Sequence, residues 1–247
     1  MFLQKERMNY LQTFQDSYFQ KYEDQTFQFF LDREFAIPKN PTLSQRPIHL
    51  LILQSQHFQP LHINFIHLIK KINLHIHLFT DSSNISSLQN EIFGDELEDH
   101  IHFYHAGRQS HLAPATTSYG NPFLIETFQN QIFDMIMIHH ASYFDFKFID
   151  LLREYHSILK ENGRIYFFYS VEHGSDSKLQ RKNFFRQKIQ QWTNLPIGNI
   201  KHTIDILDMI QSLSHLYEKI ESKPFKSTYY PLFGHHKLFS YILQKIN

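Results

Sequence analysis

The sequence predicts an α/β protein with a doubly wound, mainly parallel, seven-stranded sheet that includes an antiparallel C-terminal strand pair. Three observations predict it. Between residues 48 and 170, short apolar runs alternate with segments of helical period, the pattern of βαβ units and a parallel sheet. In the last third, "KIESKPFKSTYYP" and "HKLFSYILQK" read as strands joined through "LFGHH", a link short enough to make them antiparallel neighbours. The 247 residues, 42% of them hydrophobic, suffice to bury one large core.

The elements follow in order. Residues 1 to about 36 read as helix, with Phe14, Tyr18, Tyr22, Phe27 and Phe30 at helical intervals among charges. "AIPKNPTLSQRP" carries three prolines and reads as an extended connector. The expected organisation is thus an N-terminal helical extension and linker over 1–44 and a core domain over 45–247. "IHLLIL" (48–53) is a first strand, followed by a helix near 60–71 with Ile63, Ile66 and Ile69 on one face. "LHIHLF" (74–79) is a second strand, ended by Thr80-Asp81-Ser82-Ser83. A helix through "ISSLQNEIF" leads to a third strand, "HIHFYH" (100–105). Residues 106–122 read as loop, 123–130 as helix, and "FDMIMIHH" (133–140) as a fourth strand. "FIDLLREYHSILKENG" (148–163) is the clearest helix, its stripe formed by Ile149, Leu152, Tyr155, Ile158 and Leu159, with Gly163 at the expected C-cap. "RIYFFYS" (164–170) is a fifth strand. Helices over 178–192 and 201–219 precede the terminal strands, expected at about 219–230 and 236–245.

Composition excludes several function classes. Twenty-four basic residues balance twenty-four acidic ones, so no net field draws the chain to nucleic acid or an anionic membrane. No run approaches the roughly 18 apolar residues of a membrane helix, and the charged N-terminal stretch is unlike a signal peptide. Cysteine is absent, which removes disulfides and thiolate metal sites. A cytoplasmic protein is expected. Phe (25) and Tyr (13) are abundant, which we read as A+T-rich codon bias. The 18 histidines lower the weight of any single one. His75 and His77 share a strand face at a metal-binding spacing, and His100, His102 and His105 repeat the theme. No third ligand or HExxH-type motif accompanies them, so no metal site is assigned.

The segment "FDMIMIHHASYFDFKFIDLLREYHSILKENGRIYFF" resembles the class I S-adenosylmethionine-dependent methyltransferases. It is similar to their fourth strand, the next loop, a helix ending in Leu-Lys-Pro-Gly-Gly and the fifth strand. Leu159-Lys160-Glu161-Asn162-Gly163 stands in that last place. The resemblance covers about residues 45 to 246 and implies S-adenosylmethionine as cofactor. It places Gln54, Ser55 and Gln56 where the family has an acidic residue and a Gly-x-Gly-type loop. It places Asp81 at the ribose hydroxyls, and His105 and Ala106 beside the adenine. A carboxylate accepting two hydroxyl donors suits the ribose. Asp81-Ser82-Ser83-Asn84 equally supplies N-caps for the next helix.

The stretch after the first strand departs from the family, with no acidic residue at its end and no glycine anywhere before Gly94. Gln54, Gln56, His57 and Phe58 are bulky, which predicts a narrowed cleft and weak cofactor binding. His139 and His140 close the fourth strand at the edge where open parallel sheets bind ligands, a place for a general base, although a packed histidine in a filled cleft fits as well. Two functions follow: a methyltransferase acting on a small molecule or carrier-bound substrate, or a catalytically inactive member of the fold serving as a binding or partner subunit. Aminopropyltransferases share the fold, but their Asp-rich region is not matched by His139-His140-Ala141.

Overall fold

Alternate residues of the first strand enter two different cores, which fixes the architecture. In the computed structural model, Leu51 and Leu53 pack on one side of the sheet and Leu50 and Ile52 on the other. All four are fully buried. A strand covered on both faces reads as a continuous apolar run, as "IHLLIL" does. The structure describes residues 25–34, 46–53, 69, 72–80, 99–105, 133–138, 148–172, 176–193, 201–225 and 237–246.

Within these lie β1 (Ile48–Leu53), β2 (Leu74–Thr80), β3 (Ile101–His105), β4 (Phe133–Ile138), β5 (Leu159–Glu172), β6 (Lys201–His202), β7 (Tyr217–Phe225) and β8 (Lys237–Lys245). The helices are α1 (25–34), α2 (Phe148–Ile158), α3 (Asp176–Thr193) and α4 (Thr203–Ser212). Seven strands run in the order β3-β2-β1-β4-β5-β8-β7, and the two-residue β6 pairs with β5 off that path. β1 to β5 are mutually parallel, while β8 is antiparallel to both β5 and β7. This is the doubly wound sheet with an antiparallel C-terminal pair. Among the described residues, no helix is long and apolar enough to cross a membrane.

On one face, Ile136, Ile165, Phe167 and Tyr241 pack under Leu152 and Tyr155 of α2 and Ile206 and Ile210 of α4. On the other, Ile76, Met137, Tyr166 and Phe168 pack under Phe27, Phe30 and Leu31 of α1. The α1 helix is also tied down by charge. Arg164 Nη1 donates to both carboxylate oxygens of Glu34 at 2.8 and 2.9 Å, and the Tyr166 hydroxyl donates to the same carboxylate. Phe30 meets the Tyr166 ring edge-on at 5.1 Å. Burial works against the Arg164 charge, and Glu34 more than offsets it, so the Arg164 pKa is raised.

Several boundaries differ from the sequence expectation. The helix begun at Phe148 ends at Ile158, not at Gly163, and β5 starts at Leu159. The cap comes from a distant strand: Lys245 Nζ donates to the carbonyls of His156 and Leu159, both at 2.8 Å. A lysine ammonium on the last carbonyls also opposes the negative end of the helix dipole. Residues 160–163 then bulge, because Phe133 pairs with Leu159 while Met135 pairs with Arg164. Asn162 takes the positive φ in this bulge, at 61°. Gly163 is needed for closeness, since a Cβ there would lie 2.7 Å from Leu159 Cγ and 2.8 Å from the Lys160 carbonyl oxygen. The strands expected at 48–53, 74–79 and 100–105 agree with β1 to β3 within a residue, whereas the expected 133–140 is described as strand only to Ile138. The expected helix 201–219 is shortened to Thr203–Ser212. The helices expected near 85–93 and 123–130 lie outside the described residues, as does nearly all of the one near 60–71.

Candidate functional site

The strand order reverses at β1. The chain steps outward from β1 to β2 and β3, then returns to place β4 on the opposite side of β1. Ligands of open α/β sheets bind in the crevice beyond the carboxyl ends of the strands at such a reversal. The ends are level here: Leu53 pairs with Phe79 and with Ile138, and Thr80 pairs with His105. Leu53 and Ile138 are buried and apolar, so β1 and β4 end without a polar side chain, while β2 and β3 end in Thr80 and His105.

The residues that follow these strands are the ones singled out from the sequence. Gln54, Asp81, Ala106 and His139 each directly follow the last residue of β1, β2, β3 and β4. Of these candidates, Gln54, Ser55, Gln56, Asp81, Ala106, His139 and His140 lie outside the described residues. His105 is the last residue of β3, and its backbone pairs with Thr80. The four strand ends that precede these segments share one edge of the sheet.

A further segment arrives there that the sequence did not reveal. Val171 and Glu172 of β5 pair with Lys201 and His202 of β6, while Val171 also pairs with Lys237 of β8. Since β8 occupies one edge of β5, β6 must lie on the edge shared with β4. Ile138 pairs with Phe167, four residues before Val171, so β6 stands roughly 13 Å beyond the end of β4, in line with it. The excursion 173–200, which contains α3, thus leaves and returns at the carboxyl edge.

The amino edge carries a second polar constellation. Register alignment sets His49 beside His75 and His77 beside His102. Ring centroids along the series His49, His77, His102, His75 and His100 are 4.8 to 5.8 Å apart. His49 Nδ1 and His77 Nε2 are hydrogen-bonded at 3.0 Å, so one imidazole donates to the other. His77 is buried, with the Phe133 ring edge-on at 5.1 Å. Burial, then the neighbouring His102, His49 and His75, push its pKa down to about 3. Burial also lowers His49, His75 and His102. Among the described residues, no group of three or more His, Cys, Asp or Glu is placed to hold a metal ion.

Next to this ladder, Asp134 accepts from the His49 backbone N–H at 2.8 Å and from Lys160 Nζ at 2.7 Å. Arg46 approaches the same carboxylate at 3.7 Å. A cavity of about 360 Å³ opens here, lined by Glu34, Asp134, Lys160 and Arg164 among others. Asp134 pairs with Lys160 and Glu34 with Arg164 around it, and it lies at the end of the sheet opposite the reversal point. By the rule for open parallel sheets, the carboxyl edge at the reversal point is the candidate site.

No family model matches the sequence, and no curated protein matches it. Solved structures do. The chain superimposes on the MccD protein with a TM-score of 0.53 at 14% identity, over 88% of this chain and 95% of that one. For the cyclase SpnF the TM-score is 0.51 at 12% identity, over 81% and 75%. For CrArsM, an arsenic(III) S-adenosylmethionine methyltransferase from Chlamydomonas reinhardtii, it is 0.50 at 9% identity, over 81% of this chain. The chain spans only 64% of that enzyme's length. With the strand order and the antiparallel C-terminal pair, these likenesses give the chain the fold of the class I S-adenosylmethionine-dependent methyltransferases.

Proposed function

We propose that the protein is an S-adenosylmethionine-dependent methyltransferase acting on a small molecule or a carrier-bound substrate. The observation that supports this reading most is the level carboxyl edge at the β1–β4 reversal, onto which the segments beginning at Gln54, Asp81, Ala106 and His139 all open. The apolar strand ends supply a dry floor. Polar contacts to the amino-acid end of the cofactor then fall to Gln54, Ser55 and Gln56, those to the ribose to Asp81, and those to the adenine to His105 and Ala106. The cofactor, when bound, supplies an electrophilic methyl group. The chain's own part is alignment, which is what in-line transfer chiefly needs. His139 or His140 would take the proton from a substrate hydroxyl or amine. The excursion 173–200 covers the substrate side. The protein would act in the cytoplasm.

A second reading rests on one specific feature. No glycine and no acidic residue stand in the stretch 54–60 directly after β1, so a ligand would meet side chains where the family brings backbone close. On this reading the chain is a catalytically inactive partner subunit. A fold alone does not choose between them, since one neighbour is named a cyclase.

Titration calorimetry with S-adenosylmethionine and S-adenosylhomocysteine decides. A micromolar dissociation constant for either ligand supports the enzyme, and silence for both at millimolar concentration supports the partner subunit. In the first case, Asp81→Asn should weaken binding by about 1–3 kcal/mol, the scale of hydrogen bonds to a charged group. Unchanged binding with slightly lower stability would instead assign Asp81 to capping the next helix.

A further inference from the structure

An 18-residue helix normally earns its stability by burying one face, and the described side chains of α3, residues 177–185, 187 and 188, supply no such face. None of its described side chains is buried, and Phe184 and Phe185 are 55% and 56% exposed. In sequence the helix holds Lys178, Arg181, Lys182, Arg186 and Lys188 and one acidic residue, Asp176, a net charge of +4. The whole chain is neutral, so the remainder carries −4. A surface that joins cations to bare aromatic rings calls for an occupant with anions and apolar side chains.

The chain itself offers one. The next helix, α4, buries Ile206 and Ile210 in the core and turns its other side outward. That outer side begins with Ile204, 64% exposed, and continues with exposed Asp205 and Asp208. Three of the five exposed large apolar side chains among the described residues therefore lie on α3 and the first turn of α4. Positive charge and two rings sit on one helix, negative charge and an isoleucine on the other.

We propose that this face is the interface of a homodimer, in which α3 of each copy packs on the outer side of α4 of its partner. Two-fold symmetry makes the contact twice over, and each cationic helix meets an anionic one. A membrane surface is a poorer match, because α3 lacks the sustained apolar stripe that lies in a lipid interface. Because the pairing needs only α3 and α4, it holds whichever chemistry the carboxyl edge performs.

Sedimentation equilibrium of the full chain between 1 and 50 µM tests this. The wild type should sediment at twice the chain mass, with a dissociation constant that rises with salt. Phe184→Ser/Phe185→Ser should weaken the dimer at least tenfold without changing the far-ultraviolet circular dichroism. A variant with Lys178→Glu, Arg181→Glu and Lys188→Glu should be monomeric, and so should one with Asp205→Lys and Asp208→Lys. Mixed together, those two should form a heterodimer, since each then offers what the other lacks. A monomeric wild type at 50 µM overturns the proposal. So does a dimer indifferent to these changes, or a failure of the two reversed variants to pair. A monomer whose α3 instead binds phosphatidylserine vesicles or a 20-nucleotide single-stranded RNA also overturns it.

Discussion

Gly163 shows how a single hydrogen in place of a methyl group can set a strand junction. The bulge folds residues 160–163 so tightly that a Cβ would press on the Lys160 carbonyl oxygen at 2.8 Å, and backbone does not yield as a flexible side-chain tip does. Gly163→Ala should destabilise the chain by about 1–3 kcal/mol, the usual cost of overpacking, as read by urea denaturation. His77 sets a different constraint, one of pH. Its folded pKa, about 3, lies below its ordinary value of 6.5, so the unfolded chain binds the proton more tightly. Stability is therefore complete above pH 6.5 and falls as the pH drops through the window toward 3. At pH 5.5 the loss from His77 alone is about 1–2 kcal/mol relative to pH 7.5. His77→Phe, which keeps an aromatic ring against Phe133, should lessen that pH dependence. Equal losses for wild type and variant between pH 7.5 and 5.5 would show that His77 is not the acid-sensitive element.

At the scale of elements, what the sequence disclosed depended on how local the cause was. β1 was legible to the residue because both of its faces are buried and its apolar run stops where the sheet stops. The end of α2 was not legible, because its cap is Lys245, 86 residues beyond Leu159. Gly163 offered a plausible local stop and the wrong one. Lys245→Met keeps the packing of the stem while removing both charged hydrogen bonds. It should cost about 1.5–3 kcal/mol, measured by thermal or urea unfolding, and most of that cost should appear as fraying of the last turn of α2 in hydrogen exchange. The histidine ladder was half legible: His75 and His77 announced a shared face, but His49 joined only through strand register, which no local pattern encodes. At the carboxyl edge, the topology levels the ends of β1 to β4, and the candidate segments that follow lie outside the described residues. β6, in line with β4, emerged only from the pairing of Lys201 and His202 with β5.

For the whole molecule, the sheet sets its reversal point and the paired charges of Asp134 and Glu34 at opposite edges. The same sheet also dictates an order of assembly. β8, residues 237–245, lies between β5 and β7, although β7 is synthesised first. Until β8 emerges, β7 has no neighbour in the sheet, and β5 presents an open edge along residues 164–171. That edge includes Ile165, Phe167 and Tyr169, a stretch apt to pair with another chain. A chain terminated after Phe225 should be recovered as aggregate rather than as monomer in size-exclusion chromatography, and adding residues 237–245 as a separate peptide during refolding should raise the soluble yield. On the ribosome, β5 waits for its partner through some 65 residues of further synthesis, from Glu172 to Lys237. At roughly 5–20 residues per second that is several seconds of exposure, long enough for a chaperone to become part of how this protein folds.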